Sequence, residues 1–208
     1  MRLADNSVEI IDLMSLPASR QGGLDDKMRH AAEKHVTDYA MLATPVGRLL
    51  IGGDGEAVML IGFPTGCNAV TPNDTWRRDD TLFPDARRQL EDYFKATRRD
   101  FDFPMKMVGT AFQQRVWNAL LAIPMGETRT YGAIAAEIGR PKAARAVGAA
   151  NGANPLPIVV PCHRLLGSNG ALIRFGGGLE VKRYLLDFEQ DPRKADEGSI
   201  PPKREGRA

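Results

Sequence analysis

TAFQQRVWNALLAIPMGETRTYGAIAAEIGRPKAARAVGAAN, residues 110–151, holds three helical stretches separated by turn chemistry, and its reading decides the fold. Thr110 with Gln113 three residues on is a capping-box pattern, in which each side chain satisfies the other's backbone N–H. Phe112, Val116, Trp117, Leu120 and Leu121 then recur at helical spacing on one face. Pro124 and Gly126 end that helix. Thr130 suits the N-cap of a second helix over 131–138, Gly139 suits its end, and Pro141 suits the first turn of a third over 141–151. Two short helices joined by a Gly-containing turn are the helix-turn-helix arrangement. The third helix is unusual in composition: apart from Lys142, Arg145 and Val147, residues 142–151 are Ala, Gly and Asn. So small a face permits close approach, either to a neighbouring helix or to the floor of a nucleic-acid groove. Arg145 projecting from it is a planar, permanently charged donor suited to bases.

Upstream the texture changes. Residues 37–43, the turn 44–47 and residues 48–52 read as strand, turn, strand, and Val58–Phe63 as a third short apolar run. Pro84–Ala96 predicts a helix with Ala86, Leu90, Tyr93 and Phe94 on one side, and Asp100–Phe103 a further edge strand. Residues 37–105 are thus an α+β unit, followed by a mainly helical unit over 106–190. Residues 1–36 form an extension, ordered in part at most, with a short helix near Leu24–Lys34. Residues 191–208 have almost no large apolar side chain and read as a disordered tail.

Composition agrees with a soluble protein. Of 208 residues 43% are hydrophobic and 26% charged, enough for a core. No apolar run reaches the ~18–20 residues of a membrane helix, and the start lacks the apolar stretch of a signal peptide. Two cysteines, Cys67 and Cys162, make no disulfide framework and fit a reducing compartment. With only His30, His35 and His163 beside them, no metal site is expected. The net charge of +2 hides an asymmetry: residues 105–190 hold 10 basic and 5 acidic side chains, a local +5 against −3 for the remainder. A chain-wide balance therefore does not exclude DNA.

The segment that carries chemistry is NPLPIVVPCHR, 154–164. Pro155, Pro157 and Pro161 stiffen it, and Ile158–Val160 reads as a buried extended run. A Cys on a stiff segment beside a His is a candidate thiolate nucleophile, although a lone Cys is more often inert core. Neighbouring side chains of an extended chain point to opposite sides. His163 is then expected to reach Cys162 through a water, and to need an acidic orienter such as Glu180, Asp187 or Glu189 on the helix 178–189. The run Gly176-Gly177-Gly178 fits no phosphate-binding motif and reads as a loop leading into that helix. Read this way, the residues leave three functions open: a thiol transferase acting on DNA, a Cys-His hydrolase, and a transcription factor with an incidental Cys.

Taken together, PCHR (161–164) with the preceding NPLPIVV, FQQRVWNAL (112–120), IPMGETRTYGAIA (123–135), ARAVGAA (144–150) and GGGLEVKRYLLDFE (176–189) resemble the O6-alkylguanine-DNA alkyltransferases, or methylated-DNA–protein-cysteine methyltransferases. The resemblance is strong over 106–190 and loose over 37–105. It implies an RNase-H-like N-terminal domain and a C-terminal winged helix-turn-helix. It also implies single-turnover, irreversible transfer of an alkyl group, chiefly methyl, from O6 of a flipped-out guanine to Cys162, with O4-alkylthymine an open second substrate. His163 would act as base through a water, Glu189 would orient it, and Tyr131 would donate to the departing guanine. Arg145 would fill the space of the flipped base, with Thr130, Ala144, Ala146, Gly148 and Asn151 at the DNA face. Asn154, Pro157, Val160, Arg164, Ile173, Phe175 and Gly176 would line the pocket. No cofactor and no zinc are implied. The partner would be the minor groove of double-stranded DNA, met by a monomer in the cytoplasm at the nucleoid, or in the nucleus of a eukaryote. At 173–175 the sequence departs from the usual small residue, small residue, Tyr, and a preference for methyl over bulky adducts is expected. Alkyltransferase-like lesion binders, the non-catalytic alternative, lack the acceptor Cys that is present here as Cys162.

Overall fold

The computed structural model describes residues 9–12, 30–66 and 69–193; Cys67 and the tail from residue 194 lie outside them. Strands β2 (Asp38–Thr44), β3 (Gly47–Gly53) and β4 (Val58–Gly62) form an antiparallel meander, and the two-residue β5 (Arg77–Arg78) adds in parallel to β2, giving the order β4-β3-β2-β5. The β2–β3 turn is closed by Thr44, whose hydroxyl donates to the Gly47 carbonyl at 2.6 Å. Gly47 takes φ 103°, a left-handed conformation that suits glycine. Helix α2 (Pro84–Phe94) buries Ala86, Leu90 and Tyr93 as the periodicity predicts.

Asp100–Phe103 is not a strand. The chain meets the sheet edge only beyond Pro104, where Val58 N–H donates to the Pro104 carbonyl at 3.0 Å and Val58 bridges Met105. The strand that follows, β6 (Lys106–Gly109), pairs in parallel with β1 (Glu9–Asp12) of the N-terminal extension. Within that extension α1 (His30–Glu33) begins a stretch whose Ala31, Ala32 and Val36 pack with Leu50, Met59 and Val108. The remainder of the expected helix 24–34 falls outside the described residues.

Helix α3 (Ala111–Leu121) starts on the capping box: Gln113 N–H donates to Thr110 Oγ1 at 3.3 Å, and Thr110 N–H to Gln113 Oε1 at 2.8 Å. Val116, Trp117 and Leu120 are buried, whereas Leu121 faces outward. Trp117 Nε1 donates to the Ala150 carbonyl at 2.9 Å and ties α3 to α5. Helices α4 (Tyr131–Glu137) and α5 (Ala144–Gly152) are the helix-turn-helix. The second of the pair begins three residues later than Pro141 suggests, because residues 140–143 form a turn held by Arg140 N–H to the Ala135 carbonyl and Ala143 N–H to the Arg140 carbonyl, both 2.8 Å. Short parallel strands β7 (Arg129–Thr130) and β8 (Leu165–Leu166) make the base of a wing, and α6 (Leu179–Gln190) packs behind it. The architecture is therefore an α+β N-terminal unit followed by a mainly helical winged helix-turn-helix. One apolar core joins the two, running from Leu49, Ile51 and Tyr93 to Trp117, Val160 and Phe188. Among the described residues no helix is long and apolar enough to cross a membrane.

Candidate active site

Residues 154–161 do not run as the extended strand that the prolines suggest; they fold into a tight buried loop. Asn154 holds it shut: its Nδ2 donates to the Val160 carbonyl at 2.8 Å, and its Oδ1 accepts from Leu156 N–H at 3.0 Å. Val160 N–H returns to the Leu156 carbonyl at 2.8 Å, and Ile158 is forced to φ 76°, a conformation that strains a β-branched residue. Pro157 and Val160 are buried inside this loop. The chain then bends again, and Cys162–Arg164 form a single 3-10 turn. Two successive tight turns, each fixed by hydrogen bonds, hold Cys162 and His163 in place.

Cys162 is 4% exposed. Burial pushes its thiol up to about 11, against opposing pulls from Asn154 and the Lys182 charge. The resting sulfur is therefore protonated. His163 is fully buried, and its Nε2 lies 2.8 Å from Glu189 Oε1. Its other nitrogen, Nδ1, is buried with no hydrogen-bond partner among the described residues. Burial lowers the imidazole below its ordinary value, against the pull of Glu189, so His163 is neutral near pH 7.

Glu189 is the most heavily bonded group of the site. Arg164 donates to it twice at 2.8 Å, Nε to Oε2 and Nη2 to Oε1; Gly126 N–H donates to Oε2 at 3.2 Å; Tyr93 OH donates to Oε1 at 2.8 Å. Burial opposes its charge, yet the bonds from His163 and Arg164 outweigh that and hold the carboxyl well below the usual carboxylate range. An ionised Glu189 can only accept, so His163 carries its proton on Nε2 and leaves Nδ1 unprotonated.

Tyr131, at the start of α4, is half-buried. Burial raises its phenol to about 12, the Cys162 charge adding to the effect, so it remains a donor at neutral pH. Its ring lies over Gly148 of α5, where a Cβ would sit 3.8 Å from Tyr131 Cδ1. The helix-turn-helix therefore presents Tyr131 next to α5, whose Arg145 and Ala146 are exposed and whose Ala144 and Gly148 are half-covered. The Arg145 guanidinium has no ion-pair partner among the described residues. Thr130 Oγ1 is engaged in capping α4, accepting from Ala133 N–H at 3.1 Å. Asn151 is placed inward, 5% exposed, with Oδ1 lacking a partner among the described residues.

Phe175 is buried; its ring centroid lies 5.4 Å from that of Phe63 and 6.3 Å from that of His163. Gly177 lets the loop close on the same Phe63, since a Cβ there would meet the ring at 2.9 Å. The half-covered Gly176 lies beside it, and Ile173 is 42% exposed. Arg164 faces Glu189 and also donates through Nη1 to the Ile123 carbonyl.

Two buried groups escape sequence reasoning. Lys182 on α6 is 0% exposed, and its Nζ donates to the carbonyls of Leu165 at 2.5 Å and Ile173 at 3.1 Å, joining the wing to the active-site turn. Burial lowers it to about 8, against the opposing effect of Cys162. The signal was its spacing, since Lys182 lies on the α6 face of Val181, Leu185, Phe188 and Glu189. Tyr93 reads as core from its helix and reveals its hydroxyl contact only in three dimensions. Among the described residues no group of three or more His, Cys, Asp or Glu is placed to hold a metal ion.

A helix-turn-helix unit that carries a buried thiol, a neutral imidazole and a locked carboxylate defines a class of DNA-directed protein with a cysteine at its reactive centre. Comparison with known proteins narrows it. The family model for the 6-O-methylguanine DNA methyltransferase DNA binding domain matches residues 111–191, and that for the ribonuclease-like domain of the same proteins matches 38–107. The methylated-DNA–protein-cysteine methyltransferase of Methanosarcina acetivorans is 47% identical over 151 residues, covering 73% of this chain and 97% of that protein. Its counterpart from Haemophilus influenzae is 47% identical, covering 74% and 87%. The crystal structure of Mycobacterium tuberculosis OGT in complex with DNA superposes with a TM-score of 0.70 at 45% identity, covering 74% of this chain and 93% of that one. The chain belongs to the 6-O-methylguanine DNA methyltransferase family.

Proposed function

We propose that this chain is a direct-reversal DNA repair protein that moves one methyl group from O6 of guanine in double-stranded DNA to Cys162. The observation that carries the reading is the line Cys162, His163, Glu189 fixed beneath a helix-turn-helix whose Arg145 is free to engage DNA. The S–CH3 bond forms as the O6–CH3 bond breaks. The thiol proton passes through a water to His163 Nδ1, and Glu189 stabilises the imidazolium. The departing purine anion takes a proton or hydrogen bond from Tyr131, whose raised phenol value keeps it protonated. A thioether is too stable to return the methyl group, so each molecule acts once.

The guanine must leave the stack to reach a sulfur that is 4% exposed, which costs a few kcal/mol. Arg145 enters the gap from the minor groove, and the small residues Ala144, Ala146 and Gly148 let α5 approach the backbone. The local +5 charge of 105–190 neutralises few phosphates, so binding is moderate and weakens with salt. The active-site loop 154–161 and the residues Phe175 and Gly176 form the pocket wall, Phe175 backed by Phe63. We place the division of the chain near 105–106, a little before the gap between the two family matches at 38–107 and 111–191, and its work in the compartment that holds the DNA. Non-catalytic lesion binding is disfavoured by Cys162 itself. The test is to react the protein with an O6-methylguanine duplex and map the methyl by peptide mass. The expected product is S-methylcysteine at 162; methyl on another peptide, or none, rejects the reading.

A further inference from the structure

Helix α2 lies in the N-terminal unit, away in sequence from the chemistry, yet one of its side chains ends inside the relay. Tyr93 is 0% exposed and its hydroxyl donates to Glu189 Oε1 at 2.8 Å. The same oxygen accepts from His163 Nε2 and from Arg164 Nη2. The ring is clamped by Phe94, Phe101 and Phe188, with centroids at 5.1, 5.7 and 5.4 Å. We propose that Tyr93 is a positioning residue for alkyl transfer, through which the N-terminal unit aims the Glu189 carboxylate at His163.

The inference rests on the function proposed above. Its physical content is a division of one carboxylate oxygen among three donors. Arg164 bonds both carboxylate oxygens, and Tyr93 adds a second donor to Oε1, the oxygen that faces His163. Burial raises the Tyr93 phenol well above its ordinary value, and the Glu189 charge adds to this, so the hydroxyl always donates. It thereby takes up part of the negative charge that His163 faces. The charged and titratable groups that bear on His163 are Glu189, Arg164 and Lys182; Tyr184 bears on Tyr93, and Lys182 on Cys162. Without the Tyr93 hydroxyl, Glu189 holds the imidazolium more tightly and in a less defined geometry. His163 then keeps a proton to higher pH, where it cannot serve as base.

Tyr93→Phe removes one oxygen and keeps the ring. Transfer of methyl from an O6-methylguanine duplex is expected to slow about 3- to 10-fold, the range for the net loss of one typical hydrogen bond. The acid limb of the rate profile should move to higher pH, with the affinity for unmodified duplex unchanged. Leu90→Ala is the control: it opens the core under the same helix, away from the ring clamp, and should lower the melting temperature while leaving the acid limb in place. A Tyr93→Phe protein with wild-type rate and profile overturns the inference, as does an equal shift in Leu90→Ala. Nitrogen NMR of His163 in the wild-type protein is a readout independent of any variant: a proton on Nε2 is expected, and a proton on Nδ1 overturns the assignment. If wild-type protein itself fails to take up methyl, the proposed function fails, which is a separate result from an active wild type with an indifferent Tyr93→Phe.

Discussion

The exposed face of α5 and the relay behind Cys162 are built on opposite terms. Arg145 and Ala146 lie in solvent with the guanidinium unpaired among the described residues, whereas Glu189 is 8% exposed and accepts five hydrogen bonds from four residues. The first region is energetically idle in the free protein and gains its interactions only on a partner. The second is satisfied before any substrate arrives, so little reorganisation remains for the reaction itself. Changes on α5 should therefore alter encounter with DNA and leave stability untouched, and changes in the relay should alter both chemistry and folding.

The largest effect that would sharpen this contrast is at the sulfur. Cys162→Ala should abolish methyl transfer altogether and retain duplex binding in a gel-shift titration; loss of both would mean that the two regions are not separable. Next is Glu189→Gln, which leaves Arg164 buried against a neutral amide. Breaking such a pair costs about 3–5 kcal/mol, to be read from urea unfolding, and transfer should fall with it. The pH dependence has a definite sign. The folded-state values of His163 and Glu189 both lie below their ordinary 6.5 and 4.5, so the unfolded chain binds more protons and stability is lost as pH falls through those values. Urea midpoints that hold steady or rise on acidification would contradict the assigned protonation states.

Lys182→Met should have a smaller effect, since an apolar chain of similar length fills the space. The carbonyls of Leu165 and Ile173 lose their donor, and a rate about tenfold lower is expected from the loosened wing. Smaller again is Arg145→Ala. The position is exposed, so stability should change by less than about 0.5 kcal/mol. Repair should slow in duplex but not with the free modified base, and equal losses in both would break the comparison from the other side. The smallest expected difference concerns adduct size: with Ile173, Arg174 and Phe175 at the pocket loop, methylated oligonucleotides should react faster than benzylated ones in a competition assay.

What was legible in the sequence was local. Helix α3 announces itself through Thr110 and Gln113, and α4 through Thr130, because caps and apolar spacing are written within a few residues. Cys162 and His163 stand out because the prolines around them demand rigidity. The parallel pairings β1–β6, β2–β5 and β7–β8 were not legible: each includes at least one strand of only two to four residues, too short to carry periodicity, and the partners lie far along the chain. The loop 154–161 shows the same limit, since three prolines and Ile-Val-Val read as an extended run until Asn154 is seen to close it with its own side chain. Lys182 and Tyr93 were hidden for a further reason. A charged or hydroxylated residue on a buried helix face declares that it has a partner, and only the packing of α6 against the wing and of α2 against α6 says which.

The central claim is that a sulfur buried beneath the helix-turn-helix consumes itself in one transfer. It is tested most directly by titrating the protein with an excess of O6-methylguanine duplex and following restored guanine to completion. One guanine restored per protein molecule, with an equal amount of methylated Cys162 and no further increase with time, is the predicted result. Continued restoration beyond one per molecule, or restoration without methyl on Cys162, would contradict it.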